Sequence, residues 1–91
     1  MESTVQKIES ILRERLEPLH LTIRDDSEMH AGHAGAASGG GHYHVLIVSP
    51  RFEGLTVLEQ HKLVNGALSD LIGGAIHALG LKTIPPSRWS G

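Results

Sequence analysis

Two stretches of the chain repeat apolar residues at three- and four-residue steps, and this spacing predicts two amphipathic helices. The first covers residues 4–16 and the second begins after Thr56 and runs to Gly73-Gly74, with a short extra turn at its end. Each begins with a capping box: Ser3 with Gln6, and Thr56 with Glu59. The apolar stripe of the second helix consists of Val57, His61, Val64, Leu68 and Leu71.

Three other segments have the pattern of β-strands. Residues 19–25 alternate apolar and polar side chains, as in a half-buried strand. Residues 43–49 are apolar on both faces, which suits the centre of a sheet, and a third short strand lies within 75–83. The element order, helix-strand-strand-helix-(short helix)-strand, predicts an α+β fold in which the helices pack on one face of a three-stranded sheet.

The chain fits one small domain over residues 1–91, with two irregular segments. A glycine-rich loop occupies about 26–41 and is too long for a tight hairpin turn. After Pro85-Pro86 we expect a flexible tail over about 85–91, with Trp89 folded back as a lid on the core.

The amino-acid composition narrows the classes of function that this chain could have. Leu, Ile, Val and Phe make up 25 of 91 residues, enough for a packed core, and the net charge of -2 gives no basic excess for phosphate backbones. No apolar run approaches 18 residues and no signal-peptide pattern opens the chain, so we expect a cytoplasmic protein. Cysteine is absent, which excludes a thiol nucleophile and thiolate ligands from this chain.

Histidine is unusually frequent, at seven of 91 residues. His30 and His33 lie three apart in the glycine-rich loop, whereas His42 and His44 lie two apart at the start of a strand and so share one face. Such spacing can hold zinc, nickel or copper, but a loop of small residues also tolerates solvated histidines. A divalent-metal site made by these four residues therefore stays an open alternative.

Position alone favours structural roles for two other histidines. His61 continues the apolar stripe of the second helix, where a core histidine is more common than a ligand. His77 opens the third strand, on the same face as Leu79 and Leu81 by alternation. His20 is expected to be solvated.

No catalytic constellation is visible, so we predict that the protein is not an enzyme. The glycines at 39–41 lead into a strand and no Gly-Lys-Ser/Thr follows, which argues against a phosphate-binding loop. The serines lie in caps, turns and tails rather than in a Gly-x-Ser-x-Gly elbow.

Several short motifs, in fixed order over about residues 5–89, resemble the BolA family. They are Asp25-Asp26-Ser27 with His30, Gly41-His42-Tyr43, Val48-Ser49, Phe52-x-Gly54, Gln60-His61-Lys62, Ile76-His77-Ala78-Leu79, and Pro85 to Trp89. The resemblance implies a fold like the second type of KH domain, in agreement with the element order. Two departures stand out: Gln60 replaces the usual arginine, and residues 35–41 lengthen the loop that also carries His33.

The resemblance implies a partner and a cofactor. The partner is a monothiol glutaredoxin of the Cys-Gly-Phe-Ser type, and the cofactor is a bridging 2Fe-2S cluster shared with that glutaredoxin and glutathione, in cluster trafficking or iron sensing. The implied ligands on this chain are His30 and His77, with His33 as the alternative loop ligand. His61 and His42 would lie near the ligands or at the partner surface. The chain alone is expected to be monomeric and without a cluster, and to form a heterodimer with its partner.

Nucleic-acid binding is the second function class that the resemblance suggests, since bacterial members of the family are described as transcriptional regulators. The sequence contains no Gly-x-x-Gly loop, few aromatic residues and a negative net charge, all of which disfavour it. Four cations could form a local patch for a weak contact: Arg51, Lys62, Lys82 and Arg88.

Overall fold

The computed structural model describes residues 3–26 and 41–90, and the predicted α+β fold is confirmed. Helix α1 spans Thr4–Leu16, with both hydrogen bonds of the predicted capping box present: the Gln6 N–H donates to Ser3 Oγ (3.2 Å), and the Ser3 N–H donates to Gln6 Oε1 (2.8 Å). The helix ends at Glu17, whose φ of 47° places it in the left-handed region where a helix cannot continue.

Three strands form one mixed sheet in the order β1-β2-β3. Strand β1 (His20–Asp25) pairs antiparallel with β2 (Gly41–Val48), and β2 pairs parallel with β3 (Ile76–Ile84). The parallel pair requires a crossover, which is made by a 3-10 helix at Pro50–Phe52 and helix α2 (Val57–Ala67). As a result β2 is central, and β1 and β3 are the edges.

The predicted apolar stripe of helix α2 is confirmed at Val64 and Leu68, which are buried, but not in the first turn of the helix. Its capping box of Thr56 and Glu59 is present, but Val57 is 61% exposed and His61 only half-buried, whereas Gln60 is buried. The buried Gln60 amide has a hydrogen-bond partner at each polar end. Its Nε2 donates to the carbonyl oxygen of Leu55 (3.0 Å), and its Oε1 accepts from Thr83 Oγ1 (2.7 Å). Hydrogen-bonded turns follow α2 where the short extra turn was expected.

The main core lies between the helices and one face of the sheet. It contains Ile8, Leu12, Leu16, Tyr43, Val45, Ile47, Phe52, Val64, Leu68 and Ile76. Odd-numbered residues of β2 therefore point to the helices, and its even-numbered residues point to the opposite face, which we call the open face. No helix in the described part of the chain is long and apolar enough to cross a membrane.

The segment predicted to be a flexible tail makes specific contacts where the structure describes it. Pro86–Arg88 form a 3-10 helix, and the Ser87 N–H and hydroxyl both donate to the Glu53 carboxylate at 2.8 Å. Trp89 stacks on the His20 ring, with ring centroids 5.0 Å apart. His20 belongs to the open face, so Trp89 does not cover the main core as predicted. His20 is exposed, as expected, and its ring contacts that of Trp89.

Candidate metal centre

The two ends of the glycine-rich loop and the start of β3 meet at one end of the sheet. The Asp26 N–H donates to the carbonyl oxygen of His42 (2.8 Å), which holds the two sides of the loop together. The Gly41 N–H donates to the carbonyl oxygen of Ala75 (3.0 Å), which joins the returning side to β3. The fold therefore brings both ends of the loop to the start of β3, where His77 is the second residue.

His77 occupies an irregular position in β3. Gly41 pairs with Ile76, but His42 pairs with Ala78, so His77 is an extra residue without a partner in the ladder. Its side chain is exposed, and its ring lies 5.3 Å from the His42 ring, centroid to centroid. The predicted placement beside Leu79 and Leu81 is therefore wrong, because the bulge breaks the alternation on which that prediction depends.

His42 lies on the open face of β2 and is half-buried. Its ring is tilted 46° to that of His77, and the two imidazoles form the histidine pair of this centre. The sequence separates the two residues by 35 positions, so only the parallel pairing of β2 with β3 brings them together. A solvent-facing imidazole pair supplies neutral nitrogen donors that suit iron, zinc or copper.

A charged cluster beside this pair was missed from the sequence. Asp26 is buried, and its carboxylate accepts from Arg24 Nε (2.8 Å) and Nη2 (3.2 Å), while His44 Nε2 lies 3.7 Å from Oδ2. The hydrogen bonds from Arg24 to Asp26 raise the pKa of the Arg24 guanidinium. The signal that could have revealed this cluster is the register of β1 with β2, because Arg24 lies opposite His44 in that pairing.

Gly80 gives the His44 ring its place on the open face. A Cβ at residue 80 would collide with three atoms of the imidazole. His44 pairs with Gly80 in the parallel ladder, so the ring lies over the bare backbone of β3. The His44 ring thus lies between β3 and Asp26, the last described residue before the loop.

Comparison with known proteins decides which family this chain belongs to. A model of the BolA-like protein family matches residues 12–88. This chain belongs to the BolA-like family. It is 40% identical to human BolA-like protein 1 over 82 residues, and 34% identical over 86 residues to an Escherichia coli protein named DNA-binding transcriptional regulator BolA.

Solved structures place the BolA-like fold on the whole chain. The structure of this chain is similar to that of BolA1 from Arabidopsis thaliana, with a TM-score of 0.86 at 34% identity and 99% coverage of each chain. The alignments cover 90% of this chain but 58% of the human relative, and 94% of this chain but 79% of the E. coli relative. The chain therefore spans less than two thirds of the length of its human relative.

In the described residues of this BolA-like chain, potential metal ligands meet as a pair of imidazoles. Among residues 3–26 and 41–90, no three histidine, aspartate or glutamate side chains converge as metal ligands would. His42 and His44 share the open face as expected, but the predicted loop ligands His30 and His33 lie outside the described residues. A ligand role for either one stays a prediction.

His61 is on the other side of the sheet from the histidine pair. Helix α2 packs through Val64 and Leu68 on the face that contains the main core, whereas His42 and His77 meet on the open face. The sheet thus separates His61 from the pair, and the predicted place of His61 near the ligands stays a prediction. A role at a partner surface stays a prediction.

The four cations considered for nucleic acid do not form one patch. Arg51 donates to Glu17 Oε1 (2.9 Å), and it lines a shallow groove together with Lys62 at one side of α2. Lys82 and Arg88 line a separate cavity between the start of α2 and the end of β3. A single phosphate backbone contacting all four would have to pass around α2.

Proposed function

We propose that this BolA-like protein shares a bridging 2Fe-2S cluster with a monothiol Cys-Gly-Phe-Ser glutaredoxin and glutathione, in cluster trafficking or iron sensing. The observation that carries the proposal is the position of His77. It is an exposed imidazole in a β-bulge, it lies beside a second imidazole, and it is at the end of the sheet where the loop begins and ends. We infer a carrier or sensor role rather than catalysis.

The donor set fits a shared cluster better than one held by this chain alone. A 2Fe-2S cluster takes four ligands, most often thiolates, and this chain has no cysteine. Two imidazoles from this chain would leave two positions for thiolates from the partner and glutathione. Imidazole ligation makes the cluster less negative than four thiolates do, which raises its potential and makes its retention sensitive to acid.

Chain length favours His30 over His33 as the loop ligand. His30 is four residues from Asp26, so its Cα lies within about 14 Å of the Asp26 Cα even when the chain is fully extended. Asp26 is itself hydrogen-bonded to the backbone of His42, whose ring contacts His77. His33 is seven residues from Asp26, and ordering the longer segment costs more conformational entropy.

Reconstitution tests the proposal directly. The protein, the glutaredoxin, glutathione, iron and sulfide are mixed under anaerobic conditions, and visible absorption and circular dichroism are recorded with each protein omitted in turn. We expect a one-to-one complex whose spectrum differs from that of the glutaredoxin homodimer and needs both proteins. A stable cluster on this chain alone would falsify the shared-cluster proposal.

Variants assign the ligands. His77→Ala should abolish the mixed-complex spectrum while the far-ultraviolet circular dichroism stays that of the folded protein. His30→Ala should weaken and shift the spectrum, and His30→Ala with His33→Ala should make the cluster as labile as in the His77 variant. His20→Ala is the matched control, because His20 lies on the open face but pairs with Val48, at the opposite end of β2 from His42. A larger effect from His33→Ala alone would reverse the assignment of the loop ligand.

Nucleic-acid binding is the second candidate, and the name of the E. coli relative is the observation that favours it. The split arrangement of Arg51, Lys62, Lys82 and Arg88 predicts weak binding that falls steeply with salt. Fluorescence anisotropy with duplex DNA at two salt concentrations checks this expectation. Nanomolar, sequence-specific binding at physiological salt would place this candidate above the cluster.

A further inference from the structure

A cavity of about 680 Å³ lies at the opposite end of β3 from the histidine pair. Its wall includes three consecutive residues, Lys82, Thr83 and Ile84. Consecutive side chains of a strand point to opposite faces, so a cavity that touches all three must run along the edge of the strand. Since β3 is an edge strand, this cavity, the edge cleft, lies beside backbone with no further strand paired to it in the described part of the chain.

Hydrogen bonds fix the width of the edge cleft. Gln60 joins its two walls, because its amide bonds both Thr83 of β3 and the carbonyl oxygen of Leu55 in the segment before α2. At the tail, Ser87 donates twice to the Glu53 carboxylate. The cleft is therefore formed before any ligand arrives, which lowers the entropic cost of binding.

The chemistry of the lining is apolar and cationic. Leu55, Val57, Ile84 and Pro85 supply apolar surface, and the Val57 side chain is 61% exposed at the mouth. Within residues 3–26 and 41–90, neither the Lys82 ammonium nor the Arg88 guanidinium has an ion-pair partner. The Glu53 carboxylate also lines the cleft and accepts from Ser87, so the charged lining consists of two cations without an ion-pair partner and one anion, which leaves an excess of positive charge for the ligand.

We propose that the edge cleft binds an extended peptide segment of a partner protein in which acidic and apolar residues alternate. An extended segment matches a cleft along a free strand edge, where main-chain hydrogen bonds add a strand to the sheet. Carboxylates pair with Lys82 and Arg88, and the apolar side chains, on the other face of the added strand, lie against Leu55 and Val57. Residues 77 and 84 are about 23 Å apart along β3, so this site and the histidine pair can be occupied together.

The test uses a fluorescein-labelled peptide of ten alternating glutamate and leucine residues, with a lysine-leucine peptide of equal length as the control probe. Fluorescence anisotropy should show saturable binding of the acidic peptide only. Lys82→Glu and Arg88→Glu should each weaken it about five- to tenfold, because an attraction becomes a repulsion. Lys62→Glu, which reverses a charge away from the cleft, is the matched control and should change the affinity less than twofold.

Two further variants separate the alternatives. Val57→Ser should weaken the acidic peptide severalfold with little effect on folding, since Val57 is exposed, but should leave duplex DNA binding unchanged. His77→Ala should leave peptide affinity unchanged, so the cleft can fail or succeed independently of the cluster proposal. No binding, equal binding to every variant, or DNA that competes for the cleft and ignores Val57→Ser would each overturn the peptide assignment.

Discussion

The two ends of β3 are built on opposite principles. At the start, the ladder is interrupted by a bulge, the His77 side chain is exposed, and the nearest ring is another imidazole. At the end, the pairing with β2 is regular, and the Thr83 hydroxyl is hydrogen-bonded to the buried Gln60. The difference shows how one strand separates two kinds of structure: the irregular end exposes an imidazole beside a second one, and the regular end joins the helix layer to the sheet.

The sharpest way to break this comparison is at the start of β3, where neighbours differ most. Ile76 is 1% exposed and belongs to the core. Ile76→Ala should lower the free energy of unfolding by about 2–5 kcal/mol, since it removes buried methyl groups and leaves a cavity. His77→Ala should change it by less than about 0.5 kcal/mol. Urea unfolding followed by circular dichroism measures both, and equal losses would mean that His77 is a core residue.

The bond between Gln60 and Thr83 tests the end of β3. Thr83→Val keeps the shape of the side chain but removes the donor to Gln60 Oε1, so the buried amide oxygen loses its partner. We expect a loss of about 1–3 kcal/mol in the same unfolding experiment. Thr83→Ser, which keeps the hydroxyl donor, is the matched control, and an equal loss there would show that the hydrogen bond is not what is being measured.

A smaller effect is expected at the start of α2. Thr56→Ala removes the side-chain half of the capping box and should cost about 1 kcal/mol. The Thr56 backbone N–H, and then its hydroxyl, hold the pKa of the Glu59 carboxyl below its usual value. The carboxylate therefore contributes stability above its unfolded pKa, and this contribution is lost as pH falls through the folded pKa.

Glu59→Gln is the control that tests this sign. It keeps a capping-box acceptor but cannot ionise, so its stability relative to wild type should improve in acid. Parallel unfolding curves for the two proteins at every pH would contradict the assignment.

At Gly80 the predicted change in stability is smaller than those at Ile76 and Thr83. Gly80→Ala places a methyl group where the His44 ring lies, and the half-exposed ring can move away. Stability should change by less than about 1 kcal/mol. The His44 ring proton resonances should nevertheless shift, as should the backbone amide of Asp26. Unshifted resonances would mean that His44 does not lie over β3 in solution.

Local signals predicted the elements well, and long-range pairing decided the rest. The capping boxes at Ser3 and Thr56 are read from residues three apart, and both are present. The histidine pair, the His44 contact and the burial of Gln60 each depend on register between segments distant in sequence, which periodicity does not encode. The alternating pattern gave the wrong face for His77, because one extra residue in a strand moves the side chains of the residues before it to the opposite face of the sheet.

The loop between β1 and β2 can change length at little cost to folding, because the residues at its two ends are held in place. Six residue pairs, from His20–Val48 to Asp25–Tyr43, hold the two strands in register, and the Asp26–His42 bond closes the connection. Once closed in this way, doubling the number of connecting residues costs only about 0.6 kcal/mol of closure entropy. Insertions and deletions at this point are thus nearly neutral for folding, so the spacing of donor residues can diversify here while the scaffold stays constant.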